Sequence, residues 1–127
     1  MLVNARTEGV VAEHVELADT RASRRRGLLG RTSLDASSAL ILIPCFSIHT
    51  AFMRFAIDVV FVDRHGVVVR VVGNVRPWRI SVGWRAHAAI ELAAGTAASR
   101  DVRRGDRLYV AVPTASPQRV VSWPIPA

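Results

Sequence analysis

The chain has 127 residues, 50% of them apolar, which is the size and composition of one globular domain able to bury a core without a disulfide or a metal. A single cysteine, Cys45, excludes an intrachain disulfide and any multi-cysteine zinc site. The net charge is +7, and every basic residue is arginine. This usage matches the bias of a GC-rich genome; the positive field favours anionic partners without choosing among nucleic acid, a membrane surface and an acidic protein.

The N-terminus, MLVNARTEGVVAEH, has no uninterrupted apolar stretch, and no apolar run approaches the roughly 20 residues a membrane-spanning helix needs. The expectation is no signal peptide, no membrane span and a cytoplasmic location. Residues 1–13 read as an extension, 14–112 as a single β-rich domain and 113–127 as a proline-rich tail.

Along the chain, HVEL from His14 to Leu17 alternates and reads as a short strand. Thr20 is placed to cap a short helix over RASRRRGLLG, with Ala22, Leu28 and Leu29 as its apolar face and Gly27 and Gly30 ending it. Residues 31–38 are a polar loop. ALILI, from Ala39, is a buried strand stopped by Pro44. IHTAFMRF and IDVVFV read as two further strands, rich in residues that suit a pleated surface. Asp63-Arg64-His65-Gly66 is a hairpin turn, with Gly66 suited to a positive φ, and VVVRVV completes the hairpin. GNVRPWRISVGWRAH reads as a long loop or an irregular hairpin. AAIEL is a strand, Gly95-Thr96 opens a short helical turn, and RRGDR turns into the strand LYVAV. The tail holds four of the six prolines and is extended, with Trp123 anchoring it. Many short strands, one helix and no βαβ alternation predict a mainly β sandwich or partly closed barrel.

Cys45 to Asp63 is the stretch with the most chemistry. A Cys45–His49 dyad needs the pair within hydrogen-bond reach, yet four extended residues span roughly 13 Å. Cys45 therefore reads as a small buried hydrophobe. In an extended chain His49 shares a face with Ala51, Met53 and Phe55. His14, His65 and His87 lie without ligand spacing, so no metal site is expected. Asp58 interrupts an apolar strand, where a buried carboxylate needs a partner; an ion pair with Arg54 or Arg79 is the structural reading. The functional alternative places His49, Arg54 and Asp58 around one polar pocket.

Several motifs here resemble a known family: S-I-H-T-x-F-M-R-F-x-I-D-V-V-F-V-D-x-x-G from Ser47, L-A-D-T and R-R-G-L-L-G-R-T-S-L upstream, and R-P-W-R, E-L-x-A-G-T-A and R-x-G-D-R-L downstream. Together they are similar to domain of unknown function 192, also called uncharacterised protein family 0127, over about His14 to Leu108. The resemblance implies a compact, mostly β domain with a short helix near its start. It implies no activity and no catalytic residue. Many members look secreted or membrane-anchored, whereas no leader is read here. Ala56 stands where relatives often carry proline, and Ala51 where they often carry a bulkier residue.

Arg24, Arg25 and Arg26 read as a solvated helix face, and with only 6% aromatic residues and no recognised motif the sequence argues against nucleic acid. Trp78 and Trp84, each followed by arginine, either close the end of the barrel, form a protein interface or offer a flat face for stacking on a sugar ring. The leading expectation is a non-catalytic binding module without a cofactor, for a small anionic or carbohydrate-like ligand or a protein partner. The candidate residues are His49, Arg54, Asp58, Trp78 and Arg79. The alternatives are a small hydrolase or transferase with His49 or Asp58 as acid/base, and an accessory component of a cell-envelope or secretion assembly.

Overall fold

The computed structural model describes residues 1–111 and the backbone of residues 120–121. The rest of the expected tail, with Trp123, lies outside the described residues. The domain is mainly β, built around a five-stranded sheet. Its strands are β3 (His14–Ala18), β4 (Ser38–Leu42), β6 (Ile57–Val62), β7 (Val68–Val75) and β9 (Ala88–Ala93), in the order β3-β4-β9-β6-β7. A four-stranded sheet orders β11 (Val120–Val121), β10 (Leu108–Ala111), β1 (Leu2–Asn4) and β2 (Gly9–Ala12). A separate ribbon pairs β5 (Ser47–His49) with β8 (Ile80–Val82). The helices are α1 (Arg21–Arg26) and α2 (Thr96–Ser99).

The sequence of the central strands explains the layering. In β4, β6 and β9 nearly every residue is buried, because these strands are covered on both faces. Side chains alternate between two cores. Ile41, Val60, Val62, Ile90 and Leu92 face the smaller sheet and pack with its Leu2, Val11 and Leu108. Leu40, Leu42, Ile57, Val59, Phe61 and Ala89 face the other way and pack with Leu28, Ile48 and Met53. The sandwich expectation is met by two packed sheets, which do not close into a barrel.

Thr20 caps α1 as expected: its hydroxyl accepts from the Ser23 N–H at 3.0 Å, and the Ser23 hydroxyl reaches back to the Thr20 N–H. Gly27 ends the helix with φ 46. The Asp63–Gly66 turn also forms, with Gly66 at φ 80 and the Asp63 carboxylate accepting from the His65 and Val67 N–H groups.

Other expectations need correction. Residues 1–13 supply β1 and β2, and Leu2 and Val11 are buried in the core. The βαβ alternation judged absent occurs once: β3 and β4 are parallel, joined through α1. The helix buries none of its own residues; Ala22 is exposed, and Leu28 just beyond the helix makes the anchor. IHTAFMRF is no continuous strand. The chain turns at Thr50, whose buried hydroxyl donates to the Arg76 carbonyl at 2.6 Å and accepts from the Arg79 N–H at 2.8 Å. That turn removes the face His49 was expected to share with Ala51, Met53 and Phe55. GNVRPWRISV instead lengthens β7 to Val75 and contributes β8.

Candidate functional site: a cleft between the arginine helix and the β5 ribbon

A cleft of about 420 Å³ opens between α1 and β5, within the range of small-ligand sites. One wall carries Arg21, Arg24, Arg25 and Arg26. Arg21, Arg24 and Arg25 sit at i, i+3 and i+4, the spacing that brings side chains to one side of a helix. Arg24 is tied down, donating to the carbonyls of Asp19 at 2.9 Å and Ile43 at 3.2 Å. Among the described residues, Arg21, Arg25 and Arg26 form no ion pair. The opposite wall is the segment Pro44–His49, with exposed Phe46 and His49 and half-buried Cys45. Leu42, Ile48, Met53 and Glu91 supply the buried lining.

Glu91 is the unexpected member. It belongs to β9, the central strand, and pairs in register with Leu40 on one side and Val59 on the other. Its side chain therefore emerges on the α1 face of the sheet. It is 4% exposed, and its Oε2 is buried without a hydrogen-bond partner. Burial pushes its pKa from 4.5 to about 7, against a weaker opposing pull from Arg31. Near neutrality Glu91 is a mixture of a carboxylic acid, which donates, and a carboxylate, which accepts.

The surroundings of Cys45 favour its thiol over the thiolate. Its thiol donates to the Ser47 carbonyl at 3.1 Å, and burial pushes its pKa up, which lowers the thiolate fraction. His49 is not its hydrogen-bond partner.

The expected pocket of His49, Arg54 and Asp58 is distributed differently. His49 lines the cleft; Arg54 and Asp58 do not. Asp58 pairs with Leu92, one residue along from Glu91, so its side chain leaves the opposite face of the same sheet. It is buried there, and its partners are backbone amides rather than Arg54 or Arg79: Oδ1 accepts from the Asn74 N–H and Oδ2 from the Ala97 N–H, each at 2.9 Å. The carboxylate thus fastens β7 and the start of α2 to β6. Arg54 is exposed on the turn after β5. Trp78 and Arg79 immediately precede β8; Arg79 lines a shallower depression beside Asn74 and Arg76. Neither Trp78 nor Trp84 closes the end of the fold, since both are exposed. Among the described residues no group of three His, Cys, Asp or Glu side chains could hold a metal ion, and no helix is long and apolar enough to cross a membrane.

Sequence reasoning missed Glu91 and the Arg21–Arg25 spacing. Both signals were present: a lone acid in an apolar strand, and three arginines on one helix side.

Two solved structures share this fold. One, from Sinorhizobium meliloti 1021, is described as a "putative transcription regulator"; it is 24% identical, covers 74% of this chain and 78% of its own, and superposes with a TM-score of 0.69. The other, a protein of unknown function from Novosphingobium aromaticivorans DSM 12444, is 23% identical, with 86% and 83% covered and a TM-score of 0.70. No curated protein matches the chain. The family model for DUF192, described as "Uncharacterized ACR", matches residues 2–110, from the start of β1 into β10, and the chain belongs to that uncharacterised family.

Proposed function

We propose that the α1–β5 cleft binds a small ligand that joins an anionic group to a hydroxyl-bearing body, in the class of sugar phosphates and sugar acids. The observation that carries this reading is the buried, unpartnered Oε2 of Glu91 at a cleft walled by arginines. A buried polar atom without a partner is costly, and a ligand hydroxyl offers it one. The guanidinium groups of Arg21, Arg25 and Arg26 suit phosphate or carboxylate oxygens, to which arginine donates charge-assisted hydrogen bonds. Phe46, exposed on the far wall, offers an apolar face to a sugar ring. His49 adds a further polar group at the rim. Arg54, Asp58, Trp78 and Arg79 have no part in this site.

The reading is a binding function. Titration calorimetry with a panel of sugar phosphates and sugar acids tests it, using the wild type and an Arg21→Ala/Arg25→Ala variant. Both arginines are exposed, so the variant keeps the fold. The expected result is saturable binding of at least one compound, weakened tenfold or more in the variant. Binding of equal strength in the variant, or no saturable binding across the panel, overturns the reading.

A further inference from the structure

The ribbon of β5 and β8 carries a second surface on its outward side, adjoining the cleft at His49. In register, Ile48 opposes Ser81 and both are buried, so this pair faces the protein. The pair His49 and Ile80 is exposed and faces outward. Large apolar side chains stand on the ribbon and on the turns at its two ends. Phe52 is 72% exposed, Trp78 61%, Ile80 77% and Trp84 83%, values that mark protruding groups rather than a part-filled groove.

The arrangement at one end is held in place. Phe52 and Trp78 meet edge to face with ring centroids 4.6 Å apart. Both have positive φ, 64° and 65°, which is costly for a bulky residue and persists only where surrounding contacts enforce it. Those contacts centre on Thr50: its N–H donates to the Arg79 carbonyl at 2.9 Å, and its carbonyl accepts from the Trp78 N–H at 3.0 Å. The fold thus spends strain to present two aromatic rings to solvent.

The chain segments that form and flank the ribbon carry charge of one sign. Residues 44–57 and 64–90 contain no Asp or Glu. Arg54, Arg76, Arg79 and Arg85 are exposed there, and none forms an ion pair among the described residues. Like charge opposes a second copy of the chain on this face. A nucleic acid would use flat aromatic faces for stacking, yet Ile80, among the most exposed apolar groups, has none. Tryptophan and phenylalanine ringed by arginines suit an anionic bilayer. Indole rings sit at the headgroup level, aliphatic groups enter the acyl boundary, and arginines meet lipid phosphates.

We propose that the β5–β8 ribbon is a peripheral docking surface for an anionic lipid bilayer, with Trp78, Ile80 and Trp84 entering the interface and the four arginines holding the headgroups. Co-sedimentation with vesicles tests it: phosphatidylcholine alone against phosphatidylcholine with 30 mol% phosphatidylglycerol, for the full chain and an Ile80→Ser/Trp84→Ser variant. Both replaced side chains are exposed, so the variant folds, which circular dichroism checks. The expected result is partitioning at least tenfold stronger onto the anionic vesicles, and a loss of tenfold or more in the variant. No binding to the anionic vesicles overturns the proposal. So does equal binding by the variant, which would indicate charge attraction without insertion. Binding to heparin or RNA that is sensitive to the same variant, without vesicle binding, also overturns it and assigns the surface to a soluble polyanion.

Discussion

Replacing Glu91 by glutamine should change how stability depends on pH, by an amount the structure sets. The Glu91 carboxyl titrates at about 7 in the fold against 4.5 as an ordinary side chain, because burial disfavours its charged form. A tenfold change in acidity corresponds to about 1.4 kcal/mol, so the gap amounts to about 3 kcal/mol. The sign follows from where each state releases its proton. Below pH 4.5 both folded and unfolded chains hold it, and the site contributes no penalty. Between 4.5 and 7 the unfolded chain ionises while the folded one does not, so stability falls as pH rises. Above 7 both are ionised and the full penalty remains. Glu91→Gln keeps the shape and cannot ionise. Any cost of its own unpaired amide is the same at every pH and shifts the baseline without changing the slope. Urea unfolding at pH 4 to 8 should therefore show the stability difference, variant minus wild type, growing by about 3 kcal/mol across that range. In thermal unfolding this is a relative gain of roughly 10 °C for a domain of this size. Parallel curves for the two proteins would refute the assignment of Glu91 as a buried, destabilising acid.

Asp58→Ala strands the Asn74 and Ala97 amides and should cost about 2 to 4 kcal/mol in urea unfolding, while leaving ligand binding in the cleft on the opposite sheet face unchanged. Gly83→Ala would place a Cβ 2.4 Å from Cγ of Phe61, a fully buried ring, and should lower stability by about 1 to 3 kcal/mol or more in thermal unfolding. Asp106 is buried; desolvation raises its pKa, but hydrogen bonds from Arg6, the Arg103 N–H and Asn4 outweigh it and bring it down to about 2. Its stabilisation is complete above 3.8 and is lost as pH falls from 3.8 through 2, so Asp106→Asn should flatten that part of an acid titration followed by near-ultraviolet circular dichroism.

Much of the fold was legible because its signals are local. The runs ALIL, IDVVFV and AAIEL are apolar almost throughout, as strands covered on both faces must be. Thr20 and the Asp63–Gly66 turn carry their own hydrogen-bonding chemistry in sequence. The pairing of β3 with β4 is not local: nothing in HVEL or ALIL encodes a parallel partner, and a six-residue helix is too short to announce a crossover. β1 and β2 are three and four residues long, and the pairing of β1 with β10 and of β2 with β1, rather than any pattern of their own, makes them strands.

The site was half legible for a related reason. Asp58 and Glu91 give the same signal, a single acid inside an apolar strand. What separates the two acids is the face each leaves and what waits there. Asp58 meets two amides and is satisfied; Glu91 meets a cleft and is not. Strand alternation says the faces differ only once β6 and β9 are known to be register partners. His49 lines the cleft, although the strand face expected for it is removed by the turn at Thr50.

The most direct test of the cleft as a binding site is an NMR titration of the ¹⁵N-labelled protein with a sugar phosphate that saturates it in calorimetry. A ligand in the α1–β5 cleft should give the largest amide shifts at Arg25 to Leu29, at Cys45 to His49 and at Glu91. Shifts confined to Asn74 to Ser81, or scattered without saturation, would contradict it.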